Sequence, residues 1–335
     1  MKKLLLLFIA CATCYVASAQ YYDAPEVGDG YKTITEYGVK TTSSSDSSAA
    51  FQRAMDEIFA EGGGVLYVPK GRYQLSGVEV REGVSMLVEA GAVFAFPKSA
   101  AGSGEPMFNF GQEYDLIHNV VVKGVNGRFK IDLSSVKSGA SPLRLCNIHD
   151  FKISNIDFDA AGADHSMILC AVGEDNDPKV FGPIYGKITN CSCTGAGAKG
   201  GLIATEAARW ILYDNLSSEG GVTVRLEISS QDVNRRQFGG AFDLRLMNIS
   251  NKNGYAAVTL APYSLPNGKI KVERISTEGS TYGVVLERGF VMEGLSEGTL
   301  PGSFGAGTYV DKVESRGGVA LKNEANYKVD ITNIK

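Results

Sequence analysis

The second half of the chain is punctuated by two interleaved sets of short alternating segments, and these restrict its fold more than any other feature. One set reads FKISNIDF, GKITNCSC, WILYDNLSS, LRLMNISN, IKVERIST, YVDKVESR and VDITNIK. The other reads SMILCA, GGLIAT, GGVTVRLE, GYAAVTLAP, YGVVLERG and GGVALKNE. Each segment suits a strand and is too short for a helix. A strand, a polar turn, glycine and another strand, repeated without strict period, is the pattern of a solenoid coil: one unit cannot bury its own apolar face and must stack on the next. No helices alternate with the strands, which argues against a doubly wound sheet. Asn-Gly hairpin turns are rare between the segments, which argues against a sandwich or an open barrel. The pattern predicts an all-β fold, a right-handed parallel β-helix beginning near residue 75.

Such a solenoid has an open apolar end that a terminal unit must cover. The one clear helical stretch is AAFQRAMDEIFAEGGG, where Phe51, Met55, Ile58 and Phe59 form an apolar stripe, Asp46 or Ser47 can cap, and Gly62 to Gly64 stop the helix. A strand, a Pro-Lys-Gly turn and a second strand follow in VLYVPKGRYQLSGVEV. Residues 46 to 73 are therefore expected to be an N-terminal cap on a single domain spanning residues 20 to 335.

The first residues, MKKLLLLFIACATCYVASAQ, carry two lysines, an apolar run and Ala17-Ser18-Ala19, the pattern of a secretory signal cleaved before Gln20. A secreted or periplasmic location follows, with lipid attachment at Cys11 a weaker alternative because the apolar run before it is short. No transmembrane segment is expected. Cleavage removes Lys2 and Lys3, so the mature chain is more acidic than the formal charge of -4 of the whole. That balance argues against nucleic acid, and any anionic partner must be gripped locally. Four cysteines remain, Cys146, Cys170, Cys191 and Cys193. They are too few for a disulfide framework and lack histidines at ligand spacing, so they are expected to be stacked core thiols on successive coils.

In a β-helix the inward rows build the core, and the outward rows stack coil on coil into a long surface suited to a polymer. Alternation in the second set sends Val222, Val224 and Leu226 inward and Thr223, Arg225 and Glu227 outward, followed by Ala257, Thr259 and Ala261, then Val285 and Glu287, then Ala320 and Lys322. Glu227 and Glu287 are then expected two coils apart, on the order of 9 to 10 Å along the axis. That lies at the upper edge of the roughly 6.5 to 9.5 Å that separates acid and base in inverting glycosidases.

The helix, GGG and P-x-G-x-Y of the cap resemble the pectate-lyase-like β-helix superfamily. NLSSEGGVTVRLE, GGAFDLRLMNIS and NGYAAVTLAPYSLPNGKIKVERI resemble the iota-carrageenases, secreted inverting β-helix hydrolases that cut β-1,4 bonds in a sulfated galactan. The resemblance implies that Glu227 is the general acid. The family's aspartate base, histidine and glutamine fall on Ser229, Tyr263 and Ala204, so one of four site positions keeps its identity. A serine cannot serve as the base that inversion requires. Glu287, or Asp243, Glu206 or Asp232 from a neighbouring turn, can replace it, or the protein binds without cutting.

The expected function is hydrolysis of a sulfated galactan such as iota-carrageenan. Arg225, Thr259, Tyr263 and Arg245 are the candidate substrate-binding residues, because guanidinium forks match sulfate and tyrosine rings stack on sugars. The alternatives are a polysaccharide lyase acting on a uronic-acid polymer, with Lys322, Arg288 or Tyr263 as base, and a degenerate binding protein. The partner is an anionic polysaccharide and the chain is expected to be a monomer. No cofactor is required. GEDNDP, residues 173 to 178, offers acids for a structural calcium without the spacing of a dedicated loop.

Overall fold

The computed structural model describes residues 31–42, 45–112, 116–172 and 182–335. The leader-like N-terminus and the acidic loop at 173–178 lie outside the described residues. The strands stack in parallel register as a β-helix. Each full coil contributes to three separate stacks. In one coil the first stack takes residues 184–189, the second 191–194 and the third 201–205, all within the long strand Ile184–Thr205. The next coil repeats the order within Ala208–Glu227.

The corners explain why the chain turns without breaking its ladder. Between the first and second stacks a single residue per coil takes the left-handed conformation: Asn155, Asn190, Asn215 and Asn248, with φ of 62°, 55°, 53° and 54°. Asparagine tolerates this region better than most residues and its amide can bond along the stack. Asn215 Nδ2 donates to Asn190 Oδ1 at 2.6 Å, and Asn248 Nδ2 donates to Asp214 Oδ1 at 2.6 Å. The repeated asparagine of the first segment set is therefore a corner residue.

Inward rows run straight through the coils. Ile153, Ile188, Tyr213, Leu246, Val272 and Val310 are successive register partners, and all are buried. Near the N-terminal end the core is aromatic, with Phe94 at 5.3 Å from Phe129 and 5.8 Å from Phe108 between ring centroids. The helix α1, Ser48–Ala60, closes that end by seating Phe51 edge-on against Tyr73 and Phe94. Ser47 occupies the N-cap position without a side-chain cap bond, and Asp46 just before it serves the helix start, its Oδ1 accepting from Ser48 N at 2.9 Å.

Three expectations need correction. Phe59 is 48% exposed and lies off the buried stripe of α1, which is completed by Ala54. The cysteines are buried free thiols, but they do not form one column. Cys170 pairs in register with Thr205 in the third stack, whereas Cys193 pairs with Ser218 in the second, so their near-equal spacing in sequence reflects no shared column. Strict alternation also fails at the start of Val222–Glu227. Val222 packs with Ala256, Val285 and Tyr282 outside the main core, while Thr223 turns inward. Thr223 Oγ1 donates to Ser250 O at 2.7 Å and accepts from Asn251 Nδ2 at 3.1 Å. Ala257 likewise joins Val258 in the core. The chain bends here as it enters the third stack, and parity resumes at Arg225 and Thr259.

Candidate active site

The third stack presents Glu227 outward at the end of its strand, where Leu226 and Ile228 on either side anchor the backbone in the core. Arg225 pairs in register with Thr259, which places both beside the carboxylate. Glu227 Oε1 accepts from Arg225 Nη1 at 3.0 Å and from Thr259 Oγ1 at 2.9 Å. The second guanidinium nitrogen, Nη2, reaches back one coil to Ala198 O and Gly200 O, at 3.3 and 3.4 Å. Arg225 is thus clamped along its length, with its side chain 16% exposed, while that of Glu227 is 30% exposed. Its remaining Nε–H is buried without a partner among the described residues.

Two coils further on, Leu286 pairs with Leu260, so Glu287 follows in the column of Glu227. With strands about 4.8 Å apart, the two carboxylates have backbones on the order of 9 to 10 Å apart. Lys322 Nζ lies 3.5 Å from Glu287 and 3.2 Å from Glu324. Tyr263 faces this interval: burial raises its phenol above the ordinary value, the negative charges of Glu227 and Glu287 raise it further, and Arg225 opposes them. Its backbone is held at φ 54°, with its carbonyl accepting from Phe290 N at 3.0 Å and Gly302 N at 2.8 Å. The Tyr263 ring lies 5.2 Å from that of Phe290.

Of the sequence candidates, the fold therefore gathers Glu227, Arg225, Thr259, Tyr263 and Glu287 on one face. Asp243 and Arg245 lie elsewhere. They belong to the first stack, where Asp243 sits 3.3 Å from Lys269 Nζ and Arg245 Nη2 donates to Glu273 Oε2 at 2.9 Å. The GGAFDL segment begins a new coil and so leaves the face that carries Glu227. Ser229 keeps the outward parity just past Glu227, and Ser230 caps the short helix Gln231–Arg236. Glu206 follows Thr205, the register partner of Leu226, and so stands one coil before Glu227. Burial raises its carboxyl above the usual range, with Arg144 opposing, and both line a cavity of about 190 Å³ with Ser230 and Asp232.

Sequence reasoning missed the support for Glu287. Tyr327 OH donates to Glu287 O at 3.1 Å, and the Asn326 side chain bonds both N and O of Gly289, at 2.9 and 3.0 Å. The only signal was a polar turn, NEANYK, after the final strand of the second segment set. Among the described residues, no group of three or more His, Cys, Asp or Glu side chains is arranged to hold a metal ion. No helix there is long and apolar enough to cross a membrane.

A capped stack of parallel coils with a carboxylate displayed on one outward column is the architecture of a parallel β-helix protein. Residues 31–237 match the family described as rhamnogalacturonase A/epimerase, pectate lyase-like, and the chain belongs to that family. More narrowly, its sequence is similar to that of iota-carrageenases, as a divergent relative, and its fold is theirs. It is 29% identical over 296 residues to an iota-carrageenase of Zobellia galactanivorans, covering 88% of this chain and 60% of that one. A second, from Alteromonas macleodii, is 28% identical, with 82% of this chain and 56% of that one covered. The chain thus spans little more than half the length of these relatives. A solved 1,3-α-1,4-β-D-galactose-4-sulfate-3,6-anhydro-D-galactose-2-sulfate 4-galactohydrolase superposes with a TM-score of 0.86 at 24% identity, covering 94% of this chain and 89% of that one. An iota-carrageenase complexed to iota-carrageenan fragments gives 0.82 at 25% identity, covering 88% and 75%.

Proposed function

We propose that this protein is an exported glycoside hydrolase that cleaves β-1,4 bonds of a sulfated galactan, such as iota-carrageenan, with inversion. The observation that carries the proposal is Glu227, outward and held by Arg225 and Thr259, with Glu287 in the same column two coils on. Glu227 gives its proton to the leaving glycosidic oxygen. Glu287 takes a proton from water on the opposite side of the ring, and the water oxygen bonds to the anomeric carbon as the glycosidic bond breaks. Sulfate oxygens compete with Glu227 for the fork of Arg225, which couples substrate arrival to release of the acid. The relatives named for iota-carrageenan, one complexed to its fragments, support the choice of polymer. The leader-like N-terminus supports export.

One observation favours a binding role without turnover: Ser229 and Ala204 offer neither the carboxylate nor the amide where the resemblance implies aspartate and glutamine. Digestion of iota-carrageenan by the full chain separates the possibilities. Hydrolysis releases new reducing ends, first seen by proton NMR as the α-anomer. Ends that absorb in the ultraviolet identify a lyase instead, and an uncut polymer that retards the protein in an affinity gel identifies a binder.

A further inference from the structure

At the corner where each coil enters the first stack, Asn119, Asp150, Tyr185, Trp210 and Asp243 all take left-handed φ, between 51° and 56°. Asparagine and aspartate suit this conformation, whereas a tyrosine and a tryptophan in it are strained, and strain retained at a surface points to function. The two rings do not fill the core. Tyr185 is 37% exposed and Trp210 is half-buried. They stack nearly parallel, 4.6 Å between centroids at 10°, as the coil spacing dictates. Two residues past the corner, Lys152 and Lys187 are register partners, and the same row continues through Leu212 to Arg245 and Lys271. Among the described residues, Asp243 lies 3.3 Å from Lys269 Nζ, Glu273 accepts from Arg245, and Asp150 lies 3.8 Å from His118 Nδ1.

We propose that Tyr185 and Trp210 form a second carbohydrate-binding ledge, on the face next to that of Glu227, which holds another segment of the galactan strand. The rings meet the C–H faces of the pyranoses, and the row containing Lys152 and Lys187 meets their sulfates. That the polymer is a sulfated galactan rests on the function proposed above, but the ledge does not depend on Glu227.

Trp210 is the sole tryptophan, so its emission reports on the ledge directly. The full chain is titrated with iota-carrageenan and with neutral agarose oligosaccharides, and retardation is followed in gels containing each. The expected result is a saturable change in Trp210 emission with the sulfated polymer and a weaker one with the neutral chain. Tyr185→Asn, which fits the corner backbone, shifts the midpoint by about tenfold through loss of the stacked ring. Adding Trp210→Asn reduces retardation while cleavage of a short oligosaccharide stays unchanged. Emission that stays constant at polymer concentrations that retard the protein, or undiminished retardation of the double variant, overturns the ledge. An equal response to neutral and sulfated chains overturns the role of the lysine row. A ledge response in a protein that cleaves nothing leaves the ledge standing and removes the hydrolase.

Discussion

Replacing Glu227 by glutamine separates proton donation from every other property of the site. Both hydrogen bonds to the carboxylate, from Arg225 Nη1 at 3.0 Å and Thr259 Oγ1 at 2.9 Å, end on Oε1, and the amide oxygen of glutamine can accept both. What is lost is the charge and the ability to give up a proton. A partly exposed ion pair is worth about 0 to 1 kcal/mol, so Tm should fall by at most about 4 °C. A positioned general acid contributes roughly 10²- to 10⁴-fold, or about 3 to 5.5 kcal/mol of transition-state stabilisation. The assay measures reducing-end release from iota-carrageenan, with affinity-gel retention and thermal unfolding recorded on the same preparation. Expected are a fall in kcat of at least about 100-fold, near-normal retention and near-normal Tm. A kcat within about tenfold of wild type refutes the acid role. A Tm loss well beyond about 4 °C refutes the claim that glutamine preserves the hydrogen bonds.

Glu287→Gln should lower kcat by a similar factor of about 10² to 10⁴, and adding Ser229→Asp should restore part of it; an unaltered rate in the single variant moves the base elsewhere. Cys170, Cys191 and Cys193 have thiols pushed up to about 12 by burial. They should stay unlabelled by an aromatic disulfide reagent at pH 8 until the protein is unfolded, and fast labelling of the native chain contradicts the packing. Burial lowers His149 and His165 below the usual imidazole value, with His118 and Lys137 adding to the effect. The unfolded chain therefore takes up protons first as pH drops through about 6.5, and stability present above that point declines until the folded imidazoles also titrate. Tm should fall between pH 7 and pH 5, less steeply in His149→Gln with His165→Gln, and parallel profiles for the two proteins discount the histidines.

Alternation was enough to find the coils because a residue facing the interior of a solenoid has no other apolar surface to pack against. The same rule located Arg225, Glu227 and Thr259, whose neighbours Leu226 and Leu260 are fully buried. It failed at Thr223 and Ala257, where the chain bends into the third stack and two consecutive residues face inward. A bend adds one residue to a row without any change in composition, so nothing in GGVTV or GYAAV announces it. Asp243 and Arg245 are a different case: they stand at or just before the start of LRLMNISN, a segment of the first set, so set membership already assigned them to a face other than that of Glu227, and the structure places them there.

What remained hidden at the site was the neighbourhood of each charge. Arg225 looked available for sulfate, yet its fork holds Glu227 and two carbonyls. Glu287 looked like one acid among several, yet Lys322, Tyr327 and Asn326 come from the final coil, about 40 residues later in sequence, to fix it and its turn. In a solenoid such support can come from either neighbouring coil, so a carboxylate can stand two coils along a column without altering the fold. A serine at 229, where the resemblance implies an aspartate, is then compatible with the turnover proposed above, provided the polymer strand lies along the helix axis and its scissile bond spans the interval faced by Tyr263.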